Sequence, residues 1–181
     1  ALYQIFSQFF AYLVLAEAGF SSCALVSLYK PMAENNIKEI NKKLSGIRYI
    51  FRNIGIVILT LAVIISFIIP FTIKENTFNY FYIIITFILY SISNSVNYFF
   101  FTYRIYYDAR EEKYVPNIVY QVGFIIKYIV EIILLLLGAS FEIVLIGCII
   151  CNLLTNFFMK QYTLKNEKNI KLDKNNKDTS M

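Results

Sequence analysis

Five long apolar stretches, at residues 2–28, 50–71, 80–101, 118–137 and 143–159, dictate what this chain can become. Each reaches about the 20 residues that an α-helix needs to cross a hydrocarbon core some 30 Å thick. Threaded back and forth, the chain sorts its charges. Of the 17 Lys and Arg, fifteen fall in one compartment, from Lys30, Lys38 and Arg52 through Arg104, Arg110 and Lys113 to Lys160 and the tail. Lys74 alone falls in the other, and Lys127 stays inside a span. That asymmetry is a positive-inside signature, which places the basic loops in the cytoplasm and the amino end outside. The expectation is an all-α, multi-span integral membrane bundle of five transmembrane helices, followed by a cytoplasmic tail over residues 161–181.

Composition excludes several other classes. At 58% apolar and 18% aromatic residues, the chain does not read as a soluble domain. A net charge of +5 would hint at nucleic acid elsewhere. Here the bases sit in loops beside spans, where anionic lipid heads are their natural partners, and there is no separate basic domain to bind nucleic acid. With no His, the commonest acid-base group and metal ligand near neutral pH is missing. Cys148 and Cys151 form a C-x-x-C inside an apolar stretch, which reads as packing and not as a metal or redox site. No catalytic residue, metal or cofactor is expected. The first residue is Ala, and apolar sequence starts at once without a basic region. That is unlike a secretory signal and suggests the interior of a larger product. The tail from Lys165 to Met181 alternates Lys, Asn and Asp and is expected to be solvated, disordered chain.

Two loops have readable structure. Pro31 should end or kink the first long helix, and Asn35 or Asn36 can cap the next. There Ile37, Ile40, Leu44, Ile47 and Phe51 recur at spacings of three and four, with Lys38, Glu39, Lys42, Lys43 and Arg48 on other faces. An ordinary solvated connector would explain the charge but not the stripe. The pattern therefore predicts an amphipathic helix lying along the cytoplasmic surface before the chain turns into its second span. In the second loop, Pro116 suits the first turn of the following helix.

Polar groups within the spans mark the candidate site. Tyr90, Asn94, Asn97, Phe101 and Arg104 share one side of the third span. Amides in lipid need partners, so that side should face other helices or a wet cavity, and packing explains it as well as a substrate path does. Lys127 and Glu131 lie one turn apart near the middle of the fourth span. Such a pair turns toward protein or water, either as a functional site or as an internal salt bridge. Glu17 poses the same question in the first span. It could be neutral through desolvation, or paired with Lys127. The candidate pathway residues are thus Glu17, Asn94, Asn97, Arg104, Lys127 and Glu131.

Two segments carry a resemblance. LAEAGFSSCALVSLYKPMAENNIKEINKKLS at residues 15–45 resembles the second-to-third-span region of bacterial polysaccharide flippases, members of the multidrug/oligosaccharidyl-lipid/polysaccharide exporter superfamily. YYDAREEKYVPNIVYQVGFIIKYIVEIILLL at residues 106–136 is similar to their fifth span and the loop before it. With the span spacing, the likeness covers roughly residues 1–160. It implies a multi-pass bacterial plasma-membrane exporter of twelve or more spans in two six-helix bundles. Its cargo would be an undecaprenyl-pyrophosphate-linked oligosaccharide for surface polysaccharide biosynthesis. The five spans would then be the second to sixth helices of the first bundle, and the partners would be membrane lipids, that glycolipid and the missing second half of the transporter. A drug/cation antiporter of the same superfamily is the near alternative. A membrane enzyme of polysaccharide assembly would need larger outward loops than KENT and GASFE, and a non-transporting scaffold would use its intramembrane charges for packing only.

Overall fold

The computed structural model describes residues 2–15, 18–72, 79–170 and 172. It is built from helices α1 (Leu2–Leu15), α2 (Ala18–Ala33), α3 (Ile37–Ser66), α4 (Ile69–Thr72), α5 (Tyr80–Ala109), α6 (Tyr114–Leu136) and α7 (Phe141–Asn166). No strand occurs among the described residues. Among the described residues, four helices are long and apolar enough to cross a membrane: α3 with the short α4, α5, α6 and α7. The first apolar stretch appears as α1 and α2, on either side of residues 16–17, which lie outside the described residues together with Glu17.

Helix boundaries follow local chemistry. α2 stops two residues after Pro31, and Asn35 then takes a left-handed φ of 50°, which asparagine accommodates better than most residues. Asn36 caps α3: its Oδ1 accepts from the Glu39 backbone N–H at 3.2 Å, and its Nδ2 donates to the Glu39 carboxylate at 3.1 Å. The side chains thus hold the first turn in the manner of a capping box. α6 ends at Gly138, whose φ of 73° lets the Ala139 N–H reach back to the Leu134 carbonyl at 3.0 Å. α5 ends in the same arrangement, but Glu111 occupies the left-handed position at φ 62° and the Glu112 N–H reaches Tyr107 O at 2.9 Å.

The loop after residue 36 differs from expectation. No surface helix precedes a turn at residue 50, because α3 is one continuous helix of 30 residues, about 45 Å long at 1.5 Å per residue. The stripe of Ile40, Leu44, Ile47 and Phe51 is buried in a cluster with Leu28, Tyr103, Ile105, Tyr106 and Met159. It faces protein and not lipid. Phe51 stacks on Phe101 with ring centroids 3.9 Å apart. The helices that continue past the apolar spans cover one another there, and each fully buried Leu, Ile or Phe contributes about 1.5–3 kcal/mol where the reference is water.

A second cluster, around Phe6, Phe10, Ile58, Ile69, Ile83, Phe87, Tyr90 and Leu145, fills the opposite end. Following the chain between the two clusters shows that α3 runs from the first to the second while α5 and α7 return. The turns at 34–36 and 110–113, the basic helix ends beside them and the end of α7 therefore gather at one end of the bundle. α5 is the central helix, packed on α3 and α7, with half of its apolar window buried; α6 is peripheral, leaning mainly on α7, with 6% of its window buried.

The end of the chain also departs from the solvated tail expected over residues 161–181. α7 continues to Asn166, and Ile170 and Leu172 join the first cluster, with Ile170 8% exposed. These two apolar residues anchor a segment that is otherwise Lys, Asn and Glu. Residues 171 and 173–181 lie outside the described residues.

Candidate functional site

Asn152 and Asn156 stand one turn apart on α7 and project their amides at α5. Asn152 Nδ2 donates to Ser93 O at 3.0 Å and to Ser93 Oγ at 3.1 Å. Asn156 Nδ2 donates to Asn97 Oδ1 at 2.9 Å and to Asn152 O at 2.8 Å, and Asn156 Oδ1 accepts from the Tyr120 hydroxyl of α6 at 3.0 Å. Asn156 is 1% exposed, so both amide hydrogens and its oxygen are satisfied at the point where three helices meet. In an apolar bundle such interhelical bonds fix register, because any slip leaves buried amides unpaired.

This ladder forms one wall of a cleft of about 200 Å³ between α5, α6 and α7, lined by Asn97, Arg104, Asn117, Tyr120, Gln121 and Asn156 among others. The Arg104 guanidinium lies 5.8 Å from the Tyr120 ring centroid, a cation–π distance. Its ion pair with Asp108, one turn on, is long at 3.9 Å, and the Arg104 side chain is 52% exposed. The cleft thus offers a cation, several amides and a phenol. Those groups suit the holding of a polar or anionic group beside an apolar surface.

The structure unites two of the six sequence-derived candidates here, Asn97 and Arg104. Asn94 turns away: its Nδ2 donates to Tyr90 O in its own helix at 2.9 Å, and Tyr90 itself packs against Phe6 and Phe10. Lys127 and Glu131 are half-buried on the side of α6 that meets α7, within electrostatic reach of Cys148. They share that seam with Gly123, which abuts Thr155, and Leu134, which abuts Gly147. Lys127 and Glu131 form no ion pair among the described residues, so the internal salt bridge is replaced by another arrangement. Lys127 Nζ lies 4.9 Å from the Tyr128 ring centroid and 5.6 Å from that of Phe124. Glu17 lies outside the described residues.

Asn152, Asn156 and Gln121 are the residues that sequence reasoning passed over. Two asparagines at i, i+4 in an apolar stretch carry the same signal as Asn94 and Asn97, and applying that rule to the last span would have found them. Among the described residues, no group of three or more His, Cys, Asp or Glu is placed to hold a metal ion. Comparison of the chain with known protein families, with curated proteins and with solved structures finds no match.

Proposed function

We propose that this chain forms one wall of a flippase-type transporter, with five membrane spans of which the first covers residues 2–28. Its cargo would be a lipid-linked oligosaccharide repeat unit bound for surface polysaccharide, moved across a bacterial plasma membrane. The reading rests on one observation: a cleft bearing Arg104, Asn97, Asn117, Gln121 and Tyr120 opens between helices that are otherwise apolar. A polar headgroup crosses a bilayer only where protein replaces its water, and a pyrophosphate with attached sugars calls for a cation and amides together. The prenyl chains would stay in lipid along the exposed apolar side of α6. The likeness of residues 15–45 and 106–136 to the flippases supports the same class.

In this reading the chemistry is binding and conformational change, with α5, α6 and α7 as part of the surface that faces a second bundle. The test is surface polysaccharide in a flippase-deficient bacterium complemented with the parent protein and its variants. Export is expected from the parent, with a loss for Arg104→Gln and for Lys127→Ala that exceeds the loss for Ile126→Ala at equal expression. Residues 1–181 alone are expected not to complement. Unchanged export from Arg104→Gln would remove the cleft from the path, and full complementation by residues 1–181 would overturn the half-transporter reading.

A further inference from the structure

At the basic end of the bundle, the chain leaving α7 crosses one side of a larger basin, about 830 Å³, walled by Tyr29, Met32, Asn41, Tyr106, Arg110 and Glu167 among others. Residues 167–170 make this crossing, and Glu167, Asn169 and Ile170 supply part of the wall. Among the described residues the crossing has few attachments. One turn bond runs from the Ile170 N–H to Glu167 O at 3.1 Å, and Asn41 Nδ2 of α3 donates to Asn169 O at 2.9 Å. Ile170 supplies the buried apolar contact.

The charged fastening is a network at the cap of α5. Arg110 Nη1 donates to Glu167 Oε1 at 2.5 Å and to the Tyr106 hydroxyl at 3.0 Å, and that hydroxyl donates to Glu167 Oε2 at 3.0 Å. Arg110 Nη2 also meets Glu112 at 3.1 Å. Partial burial works against the Arg110 charge, but the bond to Tyr106 and the attraction of Tyr106, Glu167 and Glu112 outweigh it, so the guanidinium is held above its ordinary pKa. The Arg110 and Glu167 side chains are nevertheless 33% and 24% exposed, so salt reaches the pair.

We propose that residues 167–170 are a strap that closes one side of this basin and opens as a unit while the helices stay folded, with the Arg110–Glu167 pair as its catch. Segments held by few buried contacts and by solvent-reachable bonds open far below the cost of global unfolding. Opening bares Ile40, Tyr106 and Ala109 and widens the basin toward the solvent at the end where the basic helix ends gather. Ionic strength and anything that competes for Arg110 therefore set how often the basin is open. The inference is independent of the export reading, because the strap can be watched without any cargo.

The experiment measures maleimide labelling of Ile170→Cys in the full chain in detergent, with Cys23, Cys148 and Cys151 replaced by Ser. Lys168→Cys, exposed two residues earlier, is the reference. Ile170→Cys is expected to react about tenfold more slowly than Lys168→Cys at low salt. Glu167→Gln should remove most of that protection, and about 1 M salt should weaken it, since ions reach and compete for the partly exposed pair. The reversed pair Arg110→Glu with Glu167→Arg should restore it, and unchanged helical circular dichroism shows that the helices stay folded. Equal labelling at 168 and 170 with the network intact would overturn the closed strap. Protection indifferent to both Glu167→Gln and salt would overturn the catch, and protection lost only together with helicity would show that the strap does not open on its own.

Discussion

Asn156 gives its side-chain amide to the side-chain oxygen of Asn97 at 2.9 Å, across the α5–α7 contact and at 1% exposure. Through the Tyr120 hydroxyl at 3.0 Å the same residue ties in α6, which otherwise rests mainly on α7. One side chain therefore sets the register of three helices and the shape of the cleft beside them.

Asn156→Ala leaves Asn97 Oδ1 and the Tyr120 hydroxyl without their partner where the three helices meet. Interhelical side-chain bonds in membranes are worth about 0.6 kcal/mol on average and up to about 1.7 kcal/mol. Removing two at once is expected to cost about 1–2 kcal/mol, read as a lower thermal midpoint in detergent. Asn94→Ala, whose amide bonds within its own helix, is expected to change the midpoint far less. Equal shifts from the two variants would mean that the ladder does not hold the helices together.

The seam between α6 and α7 offers a sharper steric test. A Cβ on Gly123 would overlap Thr155 Cγ2 and Oγ1 and come within 3.0 Å of Thr155 Cβ, and Thr155 is pinned by its hydroxyl bond to Cys151 O at 2.9 Å. Gly123→Ala must push α6 away from α7, at about 1–3 kcal/mol. A Cβ on Gly147 would meet only the tip of Leu134, at 2.9 Å from Cδ1, and that methyl can rotate aside. Gly147→Ala is expected to be tolerated. Thermal stability of both variants in one detergent checks the order.

At the end of α5 the backbone itself is strained. Glu111 sits at φ 62°, where a Cβ crowds the neighbouring carbonyl at roughly 1–2 kcal/mol, whereas the equivalent place after α6 is filled by Gly138 at φ 73°. Glu111→Gly is expected to stabilise the protein by up to about 1 kcal/mol, after glycine's extra freedom in the unfolded chain offsets part of the relief. Gly138→Ala should destabilise by a similar amount even though its Cβ would meet no atom. Chemical denaturation that moves the two variants in the same direction would refute this account of the caps.

How much of this was legible beforehand depends on whether a residue had one physical reading or two. Apolar runs of about 20 residues have one, and α5, α6 and α7 lie where the sequence placed spans, each helix continuing beyond the apolar part at one or both ends. An amphipathic stripe has two, lipid surface or protein core. Ile40, Leu44, Ile47 and Phe51 proved to be core, because Tyr103, Ile105 and Tyr106 of α5 come back from more than fifty residues away to cover them. Local pattern holds no record of that return. In the tail, Ile170 and Leu172 were outweighed by the surrounding Lys and Asn, yet they join the first cluster, and the Arg110–Glu167 pair and the Asn41 bond hold the same short segment. The cleft was half legible: Asn97 and Arg104 stood out as polar groups in the third span, while Asn152 and Asn156 obeyed the same rule in the fifth.

The orientation of the bundle supplies the last prediction. Residues 30–52 and 104–113 and the end of α7 lie at one end, and they carry Lys30, Lys38, Lys42, Lys43, Arg48, Arg52, Arg104, Arg110, Lys113, Lys160 and Lys165. During insertion, cationic loops are retained on the cytoplasmic side, so that end is expected inside. Lys42 and Ser140 are exposed at the two opposite ends, and Ser140 makes no side-chain capping bond, so a cysteine at either place leaves the helices intact. Cys23 is exposed and must first be replaced, together with Cys148 and Cys151. In intact cells a membrane-impermeant maleimide should then label Ser140→Cys and spare Lys42→Cys until the membrane is permeabilised. The reverse pattern would invert the bundle and put the basin and its strap outside. Labelling of both sites in intact cells would show that the chain does not separate its two ends across a sealed membrane at all.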